Sequence, residues 1–114
     1  MKFALKLVAA SAAMVVAGAA FAQSGQTVKI AMIEGFSGPF ANVGLNQLHS
    51  WQYAAQQLAG KNNPAGVTFQ IDPFDSSSSP QKAVTQLKAA IDQGYRYITQ
   101  GNGSGAALAL SQAV

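Results

Sequence analysis

Val28-Lys29-Ile30-Ala31-Met32-Ile33, followed at once by Glu34-Gly35-Phe36-Ser37-Gly38-Pro39-Phe40-Ala41-Asn42-Val43-Gly44, is the stretch that decides the fold. The first six residues put apolar side chains on both faces of an extended chain, as suits a strand buried on both sides in a parallel sheet. From Gly35 to Gly44, three glycines and Pro39 read as a loop. Downstream, Leu45, Leu48, Trp51, Ala55 and Leu58 recur at intervals of three or four. That spacing predicts a helix from Leu45 to Ala59 with Trp51 on its buried stripe, ended by Gly60. Asn62-Asn63-Pro64-Ala65-Gly66 is a turn, and Val67 to Ile71 a second strand that can extend to Phe74. Ser79 before Pro80 fits an N-cap followed by proline at the first helical position. Val84, Leu87 and Ile91 give the stripe of a second helix, closed by Gly94. Tyr97-Ile98-Thr99 is a third strand, Gly101-Asn102-Gly103-Ser104-Gly105 a loop, and a third helix is expected from Ala106. Strand and helix alternate three times. Such alternation implies an α/β fold, a Rossmann-like parallel sheet with helices on both faces.

Upstream of the first strand lies a segment of different character. Lys2 and Lys6 precede an apolar, alanine-rich run from Leu7 to Ala20, and Ala20-Phe21-Ala22 has the A-x-A form of a cleavage site. This is the pattern of a secretory signal peptide over residues 1–22. A membrane-spanning helix needs about 20 apolar residues, and this run is shorter. Residues 23–114 carry five basic and four acidic side chains, a net charge of +1, so much of the basic balance belongs to the leader. The remaining charges form no basic stripe, which argues against nucleic acid as a partner. The chain has no cysteine, and Gln23 stands where a lipoprotein anchor requires one. An exported protein of the periplasm that is not lipid-anchored is the expectation. Ser111-Gln112-Ala113-Val114 carries no helix stop signal, so residues 23–114 read as part of a longer domain.

Ligands of open parallel sheets bind beyond the carboxyl ends of the strands. Two loops occupy such ends, Glu34 to Gly44 and Gly101 to Gly105. The second opens a helix, whose free N–H groups and dipole favour an anion. Ser104 adds a hydroxyl, and Gly103 and Gly105 let a ligand approach the main chain beside Asn102. A carboxylate is the natural guest. Alternatively, the glycines only make a tight turn and Ser104 is the N-cap. Gly101, Gly103 and Ala106 also spell a G-x-G-x-x-A variant, but it follows the third strand rather than the first, so no dinucleotide cofactor is expected. A nucleophile elbow around Ser104 would need glycine at positions 102 and 106, which hold Asn102 and Ala106. His49 is the only histidine. It finds no catalytic partner, and no metal site can be assembled from it and four dispersed carboxylates. The chain is not expected to be an enzyme. Phe36 and Phe40 either line a pocket or cap the sheet, and Asp72 and Asp75 read as turn residues.

Across residues 23–114 the chain resembles type I periplasmic binding proteins of the branched-chain amino-acid class. The residues that carry the resemblance are Val28-Lys29-Ile30-Ala31, Ser37-Gly38-Pro39-Phe40-Ala41 with Gly44, and Asp75 followed by Pro80-Gln81-Lys82-Ala83-Val84. Gly94-Tyr95-Arg96-Tyr97-Ile98 and the glycine/serine loop complete it. The resemblance implies that residues 23–114 are part of the N-terminal lobe of a two-lobed receptor. Such a receptor closes on an amino acid or a similar small carboxylate or amide and passes it to an inner-membrane ABC permease, acting as a monomer when full length. It also implies a carboxylate contact at Ser104. A position often aromatic in the family falls on Val43, which bears on the choice of ligand. The other classes compatible with these residues are an exported α/β enzyme and the ligand-sensing domain of a membrane receptor.

Overall fold

Strand β1, Thr27–Glu34, is the centre of a three-stranded sheet in the order β2-β1-β3, with β2 at Thr68–Asp75 and β3 at Tyr97–Thr99. Both neighbours run parallel to β1. The computed structural model describes residues 25–114. The leader over residues 1–22 and its cleavage site lie outside the described residues. Pairing runs from Thr27↔Thr68 to Glu34↔Asp75 on one side and from Ile30↔Tyr97 to Met32↔Thr99 on the other. This register settles the two faces. Lys29, Ala31 and Ile33 share a face with Asp72, Phe74 and Ile98; Ile30, Met32 and Glu34 share the other with Ile71, Asp75, Tyr97 and Thr99.

Helices cover both faces. Helix α1, Ala41–Gln57, packs Leu48 and Ala55 against Met32 and Ile71. Helices α2, Pro80–Asp92, and α3, Ser104–Ala113, bury Ala83, Leu87, Ala90, Ala106 and Leu110 against Ala31, Ile33 and Phe74. The chain moves outward from β1 to β2, then back past β1 to β3. With one hand for both crossovers, that reversal sends α1 and α2 to opposite faces.

Several expectations need correction in detail. Helix α1 begins at Ala41, so Val43 and Gly44 are helical rather than loop. A turn at Gly38, φ +84°, lets the Ala41 N–H reach the Gly38 carbonyl at 3.2 Å and starts the helix early. The helix ends at Gln57, short of Ala59. Trp51 is 43 % exposed and Leu45 39 %, so neither belongs to the core; the helix rests on its Gly44, Leu48 and Ala55 edge. On α2 the buried stripe is Ala83, Leu87 and Ala90, and Ile91 is exposed. Small alanines let the helix lie close to the sheet, which turns the larger Val84 and Ile91 outward. Gly60 does not end α1, whose C-cap is Leu58; it opens a short 3-10 helix, Gly60–Asn62. The capping predictions for α2 hold. Ser79 Oγ accepts from the Lys82 N–H at 3.3 Å with Pro80 at the first helical position. Gly94, φ +87°, lies within a C-terminal motif in which the Gly94 and Tyr95 N–H groups bond the carbonyls of Ile91 and Ala90.

Candidate functional site

The sheet order puts the carboxyl ends of β1 and β3 side by side, and the chain's change of direction falls between them. A crevice forms at such a point because the following loops diverge to opposite faces. Its walls are the β1–α1 loop, residues 35–40, and the β3–α3 loop, residues 100–103.

A carboxylate holds the first wall. Asp75 Oδ1 accepts the N–H groups of Phe36 at 2.9 Å, Ser37 at 3.2 Å and Ser77 at 2.8 Å, and Oδ2 accepts the Ser37 hydroxyl at 2.6 Å. Burial pushes the Asp75 carboxyl up, but the bonds from Ser37, Ser77 and Phe36 outweigh it and hold it below the usual carboxylate range. Asp75 is therefore the last residue of a strand and a tie between two loops, not a turn residue. Asp72 also lies in β2, where it accepts the Tyr95 hydroxyl at 2.6 Å. Both carboxylates escape the turn because β2 continues to Asp75 alongside β1. The same wall explains two glycines. A Cβ on Gly35 would collide with Ser78 Oγ, and one on Gly44 with the Gly35 carbonyl oxygen. The serine run winds tightly here, with Ser77 and Ser78 at φ 49° and 61°.

A second carboxylate holds the other wall. Glu34, the final residue of β1, is 1 % exposed. Its Oε1 accepts the N–H groups of Gly101 at 2.5 Å and Asn102 at 2.7 Å. Gln100 Nε2 donates to the carbonyls of Asn102 and of Gly103, the latter at 3.2 Å. The loop is thus held from both its donors and its acceptors. Helix α3 starts at Ser104, two residues before the predicted Ala106, and its N-cap is Gly103 at φ +97°. Ser104 is the first residue of the helix and not its cap; a positive φ at Gly103 begins the helix one residue too early for Ser104 to act as cap. The first intrahelical bond runs from the Ala107 N–H to the Gly103 carbonyl at 3.1 Å. Among the described residues, nothing accepts the N–H groups of Gly103, Ser104, Gly105 and Ala106, and Ser104 is exposed. Four donors at the positive end of a ten-residue helix suit an anion.

The candidate residues divide accordingly. Asn102, Gly103, Ser104 and Gly105 stand together at the α3 terminus, where Gly105 also lies against α2: a Cβ there would meet Pro80 Cγ at 3.4 Å. Phe40 and Val43, 52 % and 45 % exposed, lie where the β1–α1 loop enters α1. Phe36 packs partly buried against the Met32 and Leu48 cluster, so it caps the sheet. Sequence reasoning missed the roles of Glu34, Asp75 and Gln100. For Glu34 there was a signal, an acidic residue closing an otherwise apolar strand, since a charge at such a place must find partners.

Residues 27–114 match the family model described as periplasmic binding protein. The Leu/Ile/Val-binding protein homolog 4 of Brucella abortus is 39 % identical over 102 residues, which are 86 % of this chain and 23 % of that protein. The chain thus spans under a quarter of the length of this relative. A periplasmic binding protein type 1 from Bordetella pertussis superposes with a TM-score of 0.66 at 27 % identity, over 76 % of this chain and 24 % of that one. An ABC-type branched-chain amino acid transporter structure from Rhodopseudomonas palustris gives a TM-score of 0.56 at 26 % identity, over 72 % and 23 %.

Proposed function

The chain belongs to the periplasmic binding protein family, and from that premise we propose that it is part of a solute receptor for an α-amino acid, with branched aliphatic side chains first among the candidates. The observation that carries this is the set of four unpartnered N–H groups from Gly103 to Ala106, beside the Ser104 hydroxyl, at the sheet's switch point. They offer a carboxylate charge-assisted hydrogen bonds without any rearrangement of the loop, because Glu34 and Gln100 already hold it. Phe40 and Val43, exposed at the facing wall, supply apolar surface for a side chain. Leucine, isoleucine and valine are what the Brucella relative's name says it binds. The leader over residues 1–22 supports work in the periplasm, and delivery to an inner-membrane ABC permease follows from the company such receptors keep.

Thermal-shift screening of the full-length polypeptide against the proteinogenic amino acids tests this, with L-leucine as the first probe. A ligand at 100 times its Kd stabilises by about 2.7 kcal/mol, enough to raise Tm by several degrees. The Ser104→Ala variant sharpens the test. Loss of one hydrogen bond to a charged group, about 1.5–3 kcal/mol, should weaken L-leucine binding roughly 10- to 150-fold. Since Gly103, not Ser104, is the helix cap, the unliganded variant should melt within a degree or two of the parent. A variant that melts lower yet binds unchanged would remove Ser104 from the site.

A further inference from the structure

Glu34 is the one charged side chain that is fully buried among the described residues. It closes the α1-facing side of β1 after Ile30 and Met32, where an unpaired carboxylate would be strongly unfavourable. One oxygen, Oε1, takes the N–H groups of Gly101 and Asn102, 67 and 68 positions further along the chain. Gln47 of α1 abuts the same glycine: a Cβ on Gly101 would stand 3.0 Å from Gln47 Nε2. Glu34 Oε2 and Gln47 Oε1 are both buried and have no partner among the described residues. Gly101 is thus held between two polar side chains of different elements, at the root of the loop that leads into α3.

We propose that Glu34 is the positioning residue of this site, a buried carboxylate that takes the Gly101 and Asn102 N–H groups of the β3–α3 loop and so leaves the next four, Gly103 to Ala106, aimed at the guest. The inference rests on reading the α3 terminus as the ligand site. Glu34 does not touch the ligand. It acts through Gly101 and Asn102, and through its charge. A buried carboxylate beneath the loop opposes a guest of net negative charge and favours one whose carboxylate is balanced by an ammonium group. It therefore contributes to selection of a zwitterionic amino acid over a simple fatty carboxylate. Glutamine at this position keeps the Oε1 acceptor and the shape while removing the charge.

Two measurements on the full-length polypeptide decide it. Amide hydrogen exchange without ligand should show the Gly101 and Asn102 amides exchanging roughly 10- to 100-fold faster in Glu34→Ala than in the parent, with the β1 amides unaffected. Unchanged exchange at those two amides would overturn the proposal, whatever the ligand. Should Glu34→Ala fail to fold, Glu34→Gln carries the test. Calorimetric titration should show its preference for L-leucine over 4-methylpentanoate falling roughly threefold or more, a change that a merely structural role would not produce. An unchanged preference would overturn the charge role. If the parent binds neither probe, the reading of the site falls, while the ligand-free exchange still decides whether Glu34 holds the loop.

Discussion

Asp75 shows how much of this crevice depends on single carboxylates. Its five bonds from Phe36, Ser37 and Ser77 tie the β1–α1 loop to the β2–α2 loop. The carboxyl titrates below its usual range, so the folded chain favours the ionised form. The stabilisation is therefore fully present above the unfolded value, near pH 4, and is lost as pH falls through the lower folded value. Asp75→Asn should lower stability at pH 7 by about 1–3 kcal/mol. It should also remove part of the acid limb, so that parent and variant converge in urea melts at pH 3. A constant difference between them from pH 7 to 3 would show that charge contributes nothing at this position. Neither the tie nor the Glu34 clamp was legible in the sequence. Each joins residues that only the pairing of β2 and β3 to β1 brings together.

Among the elements, helix α2 was the most legible, because its ends are local chemistry. Ser79, Pro80 and Gly94 act within a few residues of themselves, through bonds to Lys82, Ile91 and Ala90. Ser79→Ala should cost about 1 kcal/mol, read from denaturant unfolding of the full-length polypeptide; a change under about 0.3 kcal/mol would mean that Pro80 alone sets the helix start. The faces of α1 and α2 were less legible. Periodicity marks an apolar stripe, but the larger side chains it picks out, Trp51, Leu58 and Ile91, stay 43–53 % exposed. Alanine and glycine, weak signals in a hydropathy pattern, make the contact instead, at Gly44, Ala55, Ala83 and Ala90. Close approach of helix to sheet rewards small residues, and a side chain's apolarity says nothing of the distance at which its helix lies.

For the whole molecule, the consequence is an uneven surface. On the α1 side of the sheet, Ile30, Trp51, Leu58 and Phe69 line an open apolar hollow, and Tyr97 of β3, 59 % exposed, shares that face. Residues 25–114 expressed alone should bind a hydrophobic dye such as ANS and associate as concentration rises. Trp51, the only tryptophan, should emit as a hydrated indole and be readily quenched by acrylamide. A sharp two-state transition of a monomer that ignores the dye would contradict this. The curated relative is more than four times the length of the matched stretch, and the same fluorescence measured on the full-length polypeptide reads directly whether Trp51 is covered there.

By itself the sequence determined the class and order of the elements, the capping of α2 and the two loops at strand ends, because hydrophobic period, glycine, proline and serine act over a few residues. It also placed a helix-opening loop at Gly101 to Gly105, with the helix itself expected two residues late. Only the tertiary structure decided that β1 lies between its two partners, which brings those loops together, and that Glu34, Asp75 and Gln100 hold them in place. Those contacts depend on strand order and register, and strand order is set by the packing of the whole sheet and its helices rather than by any stretch of residues within it.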